Sequence, residues 1–93
     1  MNPSPIVLRV VPFQFILHFR TRGGLWSHEP IYCGDPFSPI ETSASASRDF
    51  LLDLYEDGGV HVEEAYLHEC LEVEYPDGVI TEESGNRLKV IVE

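Results

Sequence analysis

Few side chains in this chain can carry reactive chemistry. Two cysteines, Cys33 and Cys70, and four histidines, His18, His28, His61 and His68, stand among 16 carboxylates in 93 residues. A histidine and a thiolate are good zinc ligands, and His68 and Cys70 would share one face of a strand. His28 and Cys33 would complete a Cys₂His₂ set, with His61 as a further donor. The spacings fit no zinc motif, since there is no C-x₂-C and no H-x₃₋₅-H pair. The expectation is no metal and no cofactor, with His28, Cys33, His68 and Cys70 as the set a metal would use.

Nucleophilic catalysis is no better supported. A reactive thiolate needs an electropositive setting, yet Cys70 lies among Glu69, Glu72 and Glu74, which hold a thiol in its protonated form. Cys33 lies near Asp35 with no base fixed beside it. Carboxylate–metal nuclease chemistry needs clustered acids and a positioned lysine; Asp77 and Glu83 supply acids, but Ser84-Gly85 follows where the lysine belongs. No G-x-S-x-G, H-E-x-x-H or phosphate-cradling glycine loop occurs. No catalytic residue is assigned, and a non-enzymatic protein is expected.

The pattern that remains is charge. Between Asp49 and Asn86 there are twelve carboxylates and no lysine or arginine. Residues 1–52 hold four acids and four bases, whereas residues 53–93 hold twelve acids and two bases, which is the whole net charge of −10. Glu56, Asp57, Glu63 and Glu64 bracket Gly58-Gly59. Glu72 and Glu74 alternate on one strand face, and Asp77, Glu82 and Glu83 follow across a turn. If the helix end and sheet edge are adjacent, these carboxylates form one field, which suits a basic protein surface. Trp26 and Tyr66 are aromatic anchors for such a contact. A pI near 4.6 excludes direct nucleic-acid binding, which needs cations to displace condensed counterions, and excludes an anionic membrane surface.

The elements that must position these residues follow from periodicity. Ile6, Leu8 and Val10 are apolar at even positions, and Phe13, Phe15, Leu17 and Phe19 at odd ones. A change of parity breaks a strand, and Pro12 stands at the change, so a bulge or break is expected there. A long loop is expected over about 21–39, rich in glycine, proline and aromatic residues. Ser38-Pro39-Ile40-Glu41 has the form of a capping box, but the firm helical spacing of Ser47, Phe50, Leu51, Leu54 and Tyr55 gives a helix over about 43–57, stopped by Asp57-Gly58-Gly59. From 60 to 93 a three-stranded meander is expected. Odd residues Ala65, Leu67, Leu71, Val73 and Tyr75 would be buried, interrupted by Glu69, with turns at Tyr75–Val79 and at Glu83–Asn86.

The chain is thus expected to be one α+β domain, 1–93, with an antiparallel sheet of four to five strands and one helix packed on one face. No signal segment is read in it, and a cytoplasmic location follows, with reduced cysteines; export would permit a Cys33–Cys70 disulfide. By size and charge it is of the type of small acidic inhibitors that occupy the basic surface of a nucleic-acid-handling protein, such as viral anti-defence proteins, anti-CRISPR proteins and DNA mimics among them, and immunity proteins of nuclease toxins. The alternatives are a structural module that forms a homodimer through an edge from Leu88 to Val92, its acidity serving solubility, and a small zinc-binding domain.

Overall fold

The computed structural model describes residues 4–93. The elements are β1 (Ile6–Thr21), β2 (Trp26–Tyr32), α1 (Pro39–Gly58), β3 (Val62–Glu74) and β4 (Ile80–Val92). The four strands form one antiparallel sheet in the order β2-β1-β3-β4, and α1 lies on one face. This is the α+β fold with one helix that the periodicity predicts.

β3 is the regular spine. From Ala65 to Val73 its odd residues Ala65, Leu67, Glu69, Leu71 and Val73 face the helix side and its even residues face the other, open side, because every register shift along that span adds residues to a neighbouring strand; the one extra residue of β3 itself, Glu63, precedes it. On β1, Val11–Gln14 stand opposite Cys70 alone, between the pairs Val10–Leu71 and Phe15–Glu69. On β4, Gly85 and Asn86 stand opposite Glu69 alone, between His68–Arg87 and Cys70–Ser84. The parity change at Pro12 is therefore a wide bulge inside a continuous strand, with Phe13 at φ 60°.

The two bulges lie side by side and divide the sheet. In the proximal half, Phe15, Leu17, Phe19, Ala65 and Leu67 pack with Leu51 of α1 and with Ile31 and Cys33. Ser43, Ala44 and Ser47 are buried and small, which brings the helix close to the strands. In the distal half only β1, β3 and β4 continue, and of the helix-side residues there Val73 alone is buried. The molecule is accordingly long, 48 × 35 × 20 Å with a radius of gyration of 14.9 Å, against about 12 Å for a compact chain of this length.

Three expectations are corrected. The stretch 21–39 is not a single loop, since Trp26–Tyr32 forms edge strand β2. Pro30 is tolerated there because an edge strand needs hydrogen bonds on one side only. The C-terminal meander has two strands rather than three: Glu83–Asn86 is no turn, because β4 runs through it and the Asn86 N–H donates to Glu69 Oε1 across the bulge at 2.9 Å. The helix begins at Pro39, not near 43, and no capping box forms. The Ser38 side chain caps nothing and Glu41 pairs with Lys89. Asp35 does the work instead, accepting from the Phe37 and Ser38 N–H groups and from the Thr42 hydroxyl. The helix ends as predicted: Gly59 takes the left-handed conformation, with Gly59 N–H on Tyr55 O, the bond of an αL ending, and Val60 N–H on Leu54 O.

Candidate functional site

The acidic residues do not form one field. Glu56 and Asp57 lie at the end of α1 and Glu63 and Glu64 at the start of β3, while Glu72, Glu74, Asp77, Glu82 and Glu83 lie at the other end. Ten residues of strand separate Glu64 from Glu74, about 33 Å, several times the Debye length of about 8 Å at physiological salt. The two groups act independently.

They also differ in neutralisation. At the proximal end Arg20 pairs with Glu63 at 3.1 Å and Glu64 at 3.2 Å, and Arg22 pairs with Glu63 at 3.3 Å. At the distal end Arg9 reaches Glu72 at 3.4 Å, and among the described residues Glu74, Asp77, Glu82 and Glu83 have no ion pair. Their environments differ in turn. Glu82 accepts from Gln14 and from the Cys70 thiol on the open face. Glu83, one residue on, accepts from the Tyr75 and Thr81 hydroxyls on the helix side, and those bonds hold its carboxyl below the usual range. Asp77 accepts from the Val79 N–H at the turn tip.

Of the distal acids on the strands, Glu72, Glu74 and Glu82 lie on the open face, and the helix-side face carries Leu71 and Val73 of β3 with Thr81 and Glu83 of β4. Val10 pairs with Leu71 and Val7 with Val73, so all four share that face. Val7 is 57% exposed and Val10 53%, on β1 where β2 no longer pairs with it and it forms the edge, whereas Val73 on the central strand is 6% exposed. The sequence shows these residues as strand-forming, but not how far along the sheet the helix reaches. Glu69, which the sequence shows as an interruption of the buried row, stands opposite the bulge at Gly85 and Asn86.

The open face carries the other candidates. Trp26 and Tyr66 reach each other across β1, ring centres 6.0 Å apart, and the Arg87 guanidinium lies 3.6 Å from the Tyr66 ring centre. Beside them His18 lies 4.6 Å from His68 and 6.0 Å from His28 between ring centres. His18 is lowered from its ordinary value by burial, then by the charges His68 and His28 would bear. Its Nε2 meets Ser84 Oγ, and His68 Nδ1 meets the Gly85 carbonyl. His18 was not among the expected metal set, and Cys33, which was, lies across the sheet in the helix-side core. Among the described residues no three histidine, cysteine or acidic side chains are spaced to hold a metal ion. His61 is apart from this group, edge-on to Tyr55.

Cys33 and Cys70 are both free and buried on opposite faces, so the disulfide considered for an exported chain is absent. Burial first, then the hydrogen bond and charge of Glu82, push the Cys70 thiol up to about 11. A thiol so held is protonated at neutral pH and is a poor nucleophile. Among the described residues no helix is long and apolar enough to cross a membrane. No protein family, no curated protein and no solved structure matches this chain.

Proposed function

We propose that this chain is a non-enzymatic binding protein that occupies a basic, nucleic-acid-binding surface of another protein, and that it does so with the distal half of its sheet. The observation that carries this reading is the concentration there of carboxylates without an ion partner, Glu74 and Glu82 on the open face, Glu83 on the helix side and Asp77 at the turn tip, with exposed aliphatic side chains at Ile6 and Ile80 beside Glu74 and at Val7 and Val10 on the helix side. An interface combines an apolar centre with a polar rim, and an acidic rim selects a basic partner and speeds its encounter. The proximal acids Glu63 and Glu64 are spent on Arg20 and Arg22 and contribute little. Glu56 and Asp57, Trp26 and Tyr66 lie away from the contact. The setting proposed is the cytoplasm of the source cell or of its host.

The test is capture from lysate at low and high salt, identification of the bound protein, and titration of that protein with purified chain. The joint reversal of Glu74, Asp77 and Glu82 to Lys is expected to weaken binding at least a hundredfold, and reversal of Asp53 and Glu56 less than threefold. The chain should also displace nucleic acid from the captured protein. Equal losses from the two sets, or a ternary complex with nucleic acid still bound, would refute the reading.

A further inference from the structure

The outer edge of β1 is covered along only part of its length. β2 pairs with Gln14–Arg20, and the Cys33 N–H reaches Phe13 O. Among the described residues no strand pairs with Ile6–Val11 on the side away from β3. The backbone N–H and C=O groups on such an edge are a template for another strand. The segment is aliphatic apart from Arg9, and Ile6, Val7, Leu8 and Val10 are 44–59% exposed. Pro5 and Pro12 bound it, because proline has no N–H to give to a ladder.

The charge of the chain favours a second copy at this edge. The two other free edges of the sheet carry acids, Glu29 on β2 and Glu82 and Glu83 on β4, whereas no carboxylate precedes Glu29 in the chain. In a molecule of net charge −10, the edge of β1 is where two copies repel least. Paired there, the two β3 strands with their Glu72 and Glu74 stand three strand spacings apart, about 14 Å. That exceeds the Debye length of about 8 Å at physiological salt. Arg9 of each copy, held by its own Glu72 at 3.4 Å, lies between them. A basic strand of another protein would instead meet Arg9 within the edge.

The edge is also self-complementary. A two-fold axis between Leu8 and Arg9 gives an antiparallel pair with Ile6 opposite Val11, Val7 opposite Val10, and Leu8 opposite Arg9. Pro5 then falls opposite Pro12, so both prolines stay outside the ladder. Opposed residues share a face. Leu8 is an extra residue between the pairs Val7–Val73 and Arg9–Glu72, and it is what puts Val7 and Val10 together on the helix side. A shift of one residue sets Val7 against Arg9, or Arg9 against its own copy.

We infer that the chain forms a two-fold dimer by antiparallel pairing of Ile6–Val11 with the same segment of a second copy, Val7 of each packing against Val10 of the other. The inference goes beyond the proposed function. The dimer covers Val7 and Val10 and leaves Ile80, Glu74 and Glu82 of the open face and Asp77 at the turn tip free. A basic partner would meet two acidic surfaces on the same side of one continuous sheet.

Sedimentation equilibrium of the full chain, from about 1 µM to about 1 mM, reads the association. A reversible monomer–dimer equilibrium is expected, and a monomer throughout would overturn the inference. Isotope-filtered NMR on a mixture of labelled and unlabelled chain reads the register in the unaltered protein. Contacts between the Val7 methyls of one copy and the Val10 methyls of the other are expected; a dimer without them would overturn the pairing. Val7→Lys with Val10→Lys sets lysine against lysine and should weaken the dimer at least tenfold, whereas Val7→Ile with Val10→Ile should change it less than threefold. A dimer that survives the lysine pair would lie at another edge and overturn the inference. The joint reversal of Glu74, Asp77 and Glu82 to Lys should change dimerisation less than threefold at physiological salt. Loss of the dimer on that reversal would put the acids in the contact, against the inference.

Discussion

The proximal and distal halves of the sheet share β1, β3 and β4, and even the alternation along β3 is unbroken between them. In the proximal half Leu17, Ala65 and Leu67 have no exposed surface; in the distal half Val7 and Val10, on the same face, are more than half exposed. What separates the halves is a pair of bulges and the reach of one helix. Strand-forming sequence thus fixes the path of the chain, while tertiary cover decides which part of that path is a core and which is a surface.

The largest contrast is expected from truncation. Leu67→Ala should cost about 2–5 kcal/mol, since it empties a filled site, whereas Val7→Ala should cost less than about 1 kcal/mol. Urea unfolding of the two variants measures both, and comparable losses would erase the distinction between the halves. Native-state hydrogen exchange sharpens it further: amides of Leu71–Glu74 and their β1 partners should open at least tenfold more readily than those of Ala65–Leu67, and uniform protection would make the sheet one cooperative unit.

The boundary is the next target. A Cβ on Gly85 would lie 2.5 Å from Glu69 Cγ and 2.8 Å from Leu71 Cγ, so Gly85→Ala should destabilise by about 1–3 kcal/mol. Adding Glu69→Ala should recover part of that loss in a double-mutant cycle, and strict additivity would show that the two do not meet.

The smallest expected effect lies at the start of α1. The Asp35 carboxyl is held below its ordinary 3.8 by the Phe37 N–H, then by the Thr42 hydroxyl and the Ser38 N–H, against an opposing contribution from burial. A depressed carboxyl stabilises the fold fully above its ordinary value, and this is lost as pH falls through the depressed one. Asp35→Ala should therefore lower the urea midpoint slightly at pH 7, with the difference from the parent shrinking below about pH 4. A difference that grows in acid would contradict the assignment.

Much of this was legible in the residues. The parity of β3, the irregularity at Pro12 and the glycine stop of the helix follow from local rules, and each was present in the chain before folding. What was not legible depended on partners distant in sequence. Glu83–Asn86 has the composition of a turn, and it stays in a strand because Glu69, seventeen residues away, takes the Asn86 N–H. Trp26–Tyr32 reads as loop through its flanking glycines and internal proline, and it becomes a strand because β1 offers an edge from Gln14 to Arg20. The acidic site was half legible. The absence of bases between Asp49 and Asn86 is plain in the sequence, but Arg20 and Arg22, which neutralise its proximal part, come from outside that stretch.

The bulge opposite Cys70 also sets a reading frame. Val11–Gln14 supply the count of residues that puts Val7 and Val10 on the side of Val73 and Leu71, and Arg9 on the side of Glu72. Remove one residue from that segment, and the strand before it is read out of phase. Arg9 would then turn toward the side of Leu71 and Val73, and Val7 and Val10 would cross to the opposite face. A single-codon deletion distant in sequence from any acidic residue would exchange the two faces of β1 across the distal half while leaving the composition of the chain almost untouched.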